Sequence, residues 1–184
     1  MTQQMALKAT IYKAELNITD LDRHYYKTHP LTIAQHPSET IERMMVRIVC
    51  FALHASDSLA FTRGLSSDDE PELWQTSLSD EIEIWIDLGQ IDEKRIRKAS
   101  HRAQHVFIYT YDERSATEWW KQISKKIKLY HNVQVIQLKA ESADSLNKLV
   151  KRNMKLHFTI QDKTIQIADG DENLQFELQP MTDA

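Results

Sequence analysis

Carboxylates that could bind a metal ion stand close in the sequence to cations that could bind a phosphate. Glu83 and Asp87 alternate with apolar residues in the stretch Asp80–Gly89, which predicts a strand with both acids on one face. A basic segment follows and contains Arg95 and Lys98. Metal-assisted phosphodiester hydrolysis needs acidic oxygens around a hard divalent ion and a cation near the phosphate. Taken alone, the stretch is more typical of a solvated strand face beside a salt-bridged surface helix.

A third acid, Glu42, lies in a segment that predicts a helix from about Pro37 to Ala55. Helical spacing places Glu42 inside the apolar arc, whereas Arg43 and Arg47 fall on the face that we expect to be solvated. A carboxylate on an apolar face needs a cation, a metal or strong hydrogen-bond donors. Glu42 is therefore a candidate functional acid, unless it lies at the rim of the arc and reaches water.

An acidic run precedes the stretch that carries Asp87. It comprises Asp68, Asp69, Glu70 and Glu72. Such runs are usually solvated loops or helix caps, and one member, Asp69, is a candidate metal ligand.

Length and composition predict one globular domain over residues 1–184. Apolar residues make up 41% of the chain, with three Gly and four Pro, which argues against disorder. The net charge of −4 predicts no global attraction for nucleic acid, so any such contact is local. Cys50 is alone in an apolar helical pattern and is expected to be a buried thiol in a reducing compartment. No signal peptide or membrane span is recognisable, so we expect a cytoplasmic protein without membrane contact.

The pattern of elements predicts an α+β fold. Alternating apolar residues indicate an antiparallel hairpin over residues 6–34 and a meander of short strands from Lys155 onward. Between them, strands near residues 58–64, 80–89, 106–111 and 133–138 are interleaved with helices that begin at Asp92 and at Asp112 or Ser115, and with a short helix over residues 142–152. This β-α-β-α order predicts a partly parallel sheet.

Several blocks in matching order resemble the bacterial YaeQ family over essentially the whole chain. They are Met5-Ala-Leu-Lys-Ala-Thr-Ile-Tyr-Lys13, His36-Pro-Ser-Glu-Thr40, Phe61-Thr-Arg-Gly-Leu65, Asp68-Asp-Glu-Pro-Glu72, Trp85-Ile-Asp-Leu-Gly89 and the basic helix with Lys98. That family looks like a divergent branch of the PD-(D/E)xK nuclease superfamily. The resemblance implies a restriction-endonuclease-like mixed sheet flanked by helices, with additional antiparallel hairpins at the N- and C-termini.

The superfamily resemblance also implies a site. One acid belongs on the first core helix, one at the start of a hairpin, and an acid-x-lysine on the hairpin's second strand; Glu42, Asp69 and Asp87 are the candidates, with Glu83 as a further metal ligand. Gly89 stands where the motif has lysine, so Lys98 or Arg95 would replace it. Helical spacing points Lys98 away from the core, and Arg95 cannot accept a proton.

Three functions follow as alternatives. The first is a nuclease dependent on Mg²⁺ or Mn²⁺, with ions held by Glu42, Asp69, Glu83 and Asp87. The second is a catalytically inactive nucleic-acid-binding or regulatory protein on the same fold, because clusters of Lys and Arg follow the predicted helices and offer phosphate contacts. The third is interaction with proteins alone.

Overall fold

A computed structural model describes residues 8–140 and 145–182. Within them, ten strands form one mixed, nearly closed, barrel-like sheet with the order β2-β1-β8-β9-β10-β7-β6-β5-β4-β3, and three α-helices accompany it. The strands are β1 (Thr10–Asp20), β2 (Tyr25–Gln35), β3 (Leu59–Phe61), β4 (Leu73–Thr76), β5 (Ile82–Leu88), β6 (Ala103–Thr110), β7 (Val133–Ala140), β8 (Asn153–Gln161), β9 (Thr164–Ala168) and β10 (Asn173–Pro180). The helices are α1 (Ile41–His54), α2 (Glu93–Arg102) and α3 (Glu113–Ile127). The predicted α+β class is confirmed.

Helix α1 is enclosed by the curved sheet. All ten residues from Met44 to Leu53 are buried, as expected for a helix that meets apolar groups on most of its circumference. The helix begins after Thr40, whose hydroxyl accepts a hydrogen bond from the Arg43 amide at 3.1 Å, and not at Pro37 as predicted. The expectation that Arg43 and Arg47 are solvated is wrong, because Arg47 is buried and the Arg43 side chain is only 16% exposed.

Helices α2 and α3 cover the opposite face of the sheet, which we call the outer face. Here β5, β6 and β7 run parallel, as predicted. Ile96 and Ala99 of α2 and Ile123 and Ile127 of α3 pack on an apolar cluster around Trp85. The predicted start of α2 is confirmed, because Asp92 caps this helix. Of the two predicted starts of α3, Asp112 and Ser115, the structure has Asp112 as the cap. None of the described helices is long and apolar enough to cross a bilayer.

The terminal hairpins are part of the same sheet. Strands β1 and β2 pair antiparallel, as do β8, β9 and β10 in turn, and β1 runs parallel to β8. The helix predicted over residues 142–152 is replaced in part by a 3-10 turn, Ser145–Leu149, and residues 142–144 lie outside the described residues. Strand β8 then begins at Asn153.

Strand β5 does not alternate regularly along its whole length. The pairing of β4 with β5 shifts between Gln75 and Thr76, so that Ile82 packs with the outer cluster while Ile84 packs with the inner core. One extra residue on one strand at such a bulge exchanges the faces of the residues beyond it. Glu83 accepts a hydrogen bond from Gln75, which pairs with Ile84 on the inner face, so the expectation that Glu83 shares the outer face with Asp87 is wrong.

Candidate functional site

Asp87 is buried beneath α2 with both carboxylate oxygens bound. It is 2% exposed and lies near the end of β5. Its Oδ1 accepts from Arg95 Nη2 at 2.8 Å, and its Oδ2 accepts from Arg95 Nε at 2.9 Å and from Trp85 Nε1 at 2.8 Å. This two-point geometry matches the fork of a guanidinium to a carboxylate. The hydrogen bonds to Asp87 raise the pKa of Arg95, which therefore stays charged.

Three cations of α2 hold the acidic loop that precedes β4. Arg95 Nη2 donates to the carbonyl of residue 70 at 2.8 Å, while Lys98 pairs with the Asp69 carboxylate. Arg102 Nη1 donates to the Asp69 carbonyl at 2.6 Å. The hydrogen bond from Lys98 lowers the pKa of Asp69. The loop is thus fastened to α2 along one side of the helix, at positions three and four residues apart.

A second carboxylate cluster lies on the inner face at the start of α1. Arg43 donates to Glu39 at 2.6 Å and to Glu72 at 2.5 Å, and Arg47 donates to Glu39 at 2.6 and 3.0 Å and to the carbonyl of Ala34 at 2.9 Å. The side chains of Glu39 and Glu72 are almost fully buried. Buried charges persist when they are paired and hydrogen-bonded, and within the described residues no buried side-chain nitrogen or oxygen is left without a partner.

Glu72 is the buried acid that the sequence interpretation did not single out. It follows Pro71 and immediately precedes β4, and its amide donates to the carbonyl of Ile86 on β5 at 2.9 Å. The Gly64 backbone lies so close that a Cβ there would stand 2.8 Å from Glu72 Oε2. The sequence signal that could have identified Glu72 is its place at the end of the acidic run, directly before a strand. A residue that enters a core strand is less solvated than residues in the middle of a loop.

Glu42 lines a cleft of about 760 Å³ between the start of α1, the start of α3 and the ends of β6 and β7. Tyr111 lies in its wall. Burial raises the pKa of Tyr111, while the charge of Arg43 lowers it and the charges of Glu42, Glu39 and Glu72 raise it. The charge of Glu72 also contributes to the raised pKa of Arg95.

The predicted site residues therefore occupy four settings. Glu42 is in the cleft, Asp87 is under α2 with Arg95, Asp69 is at the surface with Lys98, and Glu83 accepts from Gln75 Nε2 at 2.6 Å beside the bulge. Across residues 8–140 and 145–182, no three His, Cys, Asp or Glu side chains gather closely enough to hold a metal ion. Arg95 and Lys98, the two candidates for the missing lysine, each contact one of the predicted acids.

These features define a protein with a large mixed sheet whose central acids are paired with arginines. The family model described as YaeQ protein matches residues 5–178, and the chain belongs to this family. The chain is 45% identical to YaeQ of Escherichia coli strain K12 over 174 residues, which cover 95% of this chain and 96% of that protein, and 44% identical to YaeQ of Salmonella typhi with the same coverage.

Two solved structures have the same architecture. The crystal structure of YaeQ from Xanthomonas axonopodis pv. citri has a TM-score of 0.91 and 41% identity, covering 96% of this chain and 99% of that chain. YaeQ from Pseudomonas syringae has a TM-score of 0.88 and 37% identity, covering 96% of this chain and 97% of that chain. The names of these relatives state no activity and no ligand.

Proposed function

We propose that this protein binds the phosphate backbone of nucleic acid through the exposed side of α2 and α3, without hydrolysing it. The observation that carries the proposal is the distribution of charge. Residues 93–128, which we call the α2–α3 segment, contain ten Lys and Arg against four Asp and Glu, a net of +6. The remaining 148 residues together carry −10. A polyanion would therefore be attracted to one side of the molecule and repelled by the rest.

The basic residues of this segment are on the solvent side of both helices. The apolar stripes of α2 and α3 face the sheet, while exposed basic side chains lie opposite: Lys94, Arg97, Lys121, Lys125, Lys126 and Lys128. Arg102 is also exposed, but its guanidinium stacks over Trp85. Some of them form exposed ion pairs, such as Lys126 with Glu93, which are weak and exchange readily. Lys and Arg at such positions bind phosphates by releasing condensed counterions.

The Asp87–Arg95 pair supports binding without hydrolysis. Coordination of a metal by Asp87 would require Arg95 to leave, and the carboxylate would exchange a two-point ion pair and an indole hydrogen bond for the metal. Gly89 supplies no ammonium where a motif lysine would stand, and Arg95 is no proton acceptor at neutral pH.

Charge reversal on the two helices tests the proposal. Arg97 and Lys125 are exposed, and neither forms an ion pair within the described residues. The double variant Arg97→Glu/Lys125→Glu should weaken binding of a fluorescein-labelled 20-nucleotide oligothymidylate at least tenfold. The matched control Lys155→Glu/Lys163→Glu makes the same charge change on the β8–β9 hairpin and should have a much smaller effect. Equal losses in both variants would contradict the proposed surface, and no binding by the unmodified protein would contradict the function.

A metal-dependent nuclease of the PD-(D/E)xK type is the second candidate. It is favoured by one observation: an acid stands on α1 (Glu42), directly before the β4–β5 hairpin (Glu72) and on the second hairpin strand (Asp87). In this candidate Glu72, and not Asp69, takes the place of the second motif acid. Mg²⁺ or Mn²⁺ would bind these carboxylates after Arg43 and Arg95 withdrew.

Incubation with plasmid and single-stranded DNA at millimolar Mg²⁺ or Mn²⁺ separates the two candidates. Cleavage that disappears in Asp87→Ala and Glu72→Gln, but not in the surface variant Asp162→Asn, would establish the nuclease. Intact substrates, together with tight binding of the oligonucleotide, would support binding without hydrolysis.

A further inference from the structure

We infer that Lys98 and Arg102 form a phosphate-binding pair, and that Asp69 occupies this pair as an internal anion until a nucleic-acid phosphate displaces it. The inference rests on the proposed function. It names the two side chains that bind one phosphate of the nucleic acid and the carboxylate of the chain that competes with that phosphate.

The first argument is geometric. Lys98 and Arg102 are four residues apart on α2, so they lie on the same side of the helix, with about 6 Å of rise between them. Both contact Asp69, Lys98 through the carboxylate and Arg102 through the carbonyl oxygen at 2.6 Å. One residue thus offers anionic and carbonyl oxygens to two cations, much as a phosphate offers its oxygens to Lys and Arg.

The second argument is the exposure of the occupant. The Asp69 side chain is 81% exposed and that of Lys98 is 40% exposed, so water and salt screen their ion pair. The Asp87 side chain is 2% exposed. An incoming polyanion therefore exchanges with Asp69, whereas the Asp87–Arg95 pair beneath it stays formed.

The third argument is that Arg102 remains positioned when Asp69 leaves. Its guanidinium carbon lies 5.1 Å from the ring centroid of Trp85, which is fully buried. Stacking on an indole orients a guanidinium while leaving its edge free to donate. The stacking thereby preorganises the pair for a phosphate, because Arg102 keeps its position and only the Lys98 side chain must reorient.

The same loop supplies a matched control. Asp68 is exposed like Asp69, but its contact with α2 is made by its carbonyl, and within the described residues its carboxylate forms no ion pair. Asp69→Asn removes the competing carboxylate. Asp68→Asn makes the same change in net charge next to it without breaking the contact with Lys98.

The test is fluorescence anisotropy with the labelled 20-nucleotide oligothymidylate. Because an exposed ion pair is weak, Asp69→Asn should tighten binding by about two- to fivefold, with a clearly smaller gain in Asp68→Asn. When Lys98 is replaced, the gain from Asp69→Asn should fall to the size seen in Asp68→Asn, so that Lys98→Gln/Asp69→Asn exceeds Lys98→Gln only by the effect of one unit of net charge. Hydrogen exchange of the amides in residues 63–70 should increase when the oligonucleotide is added to the unmodified protein.

The outcomes separate the two claims. Equal affinities of Asp68→Asn and Asp69→Asn, or a gain from Asp69→Asn that is undiminished without Lys98, would overturn the phosphate pair while leaving the proposed function intact. Slower or unchanged exchange of residues 63–70 on binding would also overturn it. If neither the unmodified protein nor Asp69→Asn bound the oligonucleotide at 50 mM salt, the proposed function itself would fail, and the inference with it.

Discussion

Arg95 and Asp87 form a two-point ion pair that joins α2 to β5 across the outer face of the sheet, with distances of 2.8 and 2.9 Å. Trp85 completes the shell of the carboxylate from the same strand. The pair serves two purposes: it satisfies a buried charge, and it fixes the helix whose other cations face the acidic loop and the solvent.

Removal of Arg95 should be strongly destabilising. Arg95→Ala leaves Asp87 with the indole donor alone, and loss of one partner of a buried pair costs about 2–4 kcal/mol where one partner is partly exposed. Urea denaturation measures this cost. Arg97→Ala, on the exposed side of the same helix, should change the free energy of unfolding by less than about 0.5 kcal/mol. Similar values for the two variants would mean that the pair contributes little to stability.

Acid should destabilise the protein through His54. Burial lowers the pKa of His54 to about 3, whereas an unfolded histidine titrates near 6.5. The unfolded chain therefore takes up a proton that the folded chain does not, so this contribution to stability is present at neutral pH and is lost as pH falls below about 6.5. From pH 7.5 to pH 5 the loss should be about 2 kcal/mol.

His54→Gln provides the control for this pH dependence. Glutamine keeps a polar group near the Tyr109 hydroxyl, which lies 2.6 Å from His54 Nε2, but it does not titrate. The difference in unfolding free energy between the unmodified protein and the variant, measured by urea denaturation, should shrink or change sign as pH falls from 7.5 to 5. A difference that is independent of pH would show that His54 does not titrate in this way.

Gly64 should resist substitution more than Gly170. Both have positive φ, at +50° and +98°, but only Gly64 has a neighbour within 4 Å of an added Cβ, namely Glu72. Gly64→Ala should cost about 2–3 kcal/mol, because backbone strain adds to a clash with Glu72, whose buried carboxylate is held by Arg43 and cannot readily move away. Gly170→Ala should cost about 1 kcal/mol from backbone strain alone. Thermal denaturation of both variants checks the order, and a larger loss for Gly170→Ala would contradict the close approach to Glu72.

Cys50 should be unreactive in the folded protein. It is fully buried in α1, and burial raises the pKa of its thiol well above the usual value. A thiol reagent such as Ellman's reagent should label it only in step with unfolding in urea. Rapid labelling under native conditions would show that the sheet opens around α1.

Local features of the fold were predictable from the sequence. Asp92 was recognised as a helix cap, and Asp112 was one of two predicted starts of α3, because a cap depends on its own next three residues. Strands β1 and β8 were visible as regular alternation, since each buries one face. The parallel pairing of β5, β6 and β7 followed from the helices between them.

The candidate site depends on contacts between elements distant in the chain, which the spacing of apolar residues does not reveal. Arg47 was expected in water because one helix does not reveal that a sheet curls around it. Glu83 left the face of Asp87 because the pairing with β4 shifts beside it. Glu72 was grouped with its exposed neighbours because its burial comes from the start of β4 and from Arg43, 29 residues away. The assignment of Glu42, Asp69 and Asp87 to a metal site stays a prediction.

The salt dependence of oligonucleotide affinity tests the central claim most directly. Fluorescence anisotropy with the labelled 20-nucleotide oligothymidylate, between 50 and 200 mM salt, should give a linear fall of log affinity against log salt. About four phosphate contacts on the α2–α3 segment, each releasing a condensed counterion, predict a slope near −3, and the slope should be shallower in Arg97→Glu/Lys125→Glu. Absence of binding at 50 mM salt, or an affinity that salt and charge reversal leave unchanged, would contradict the account.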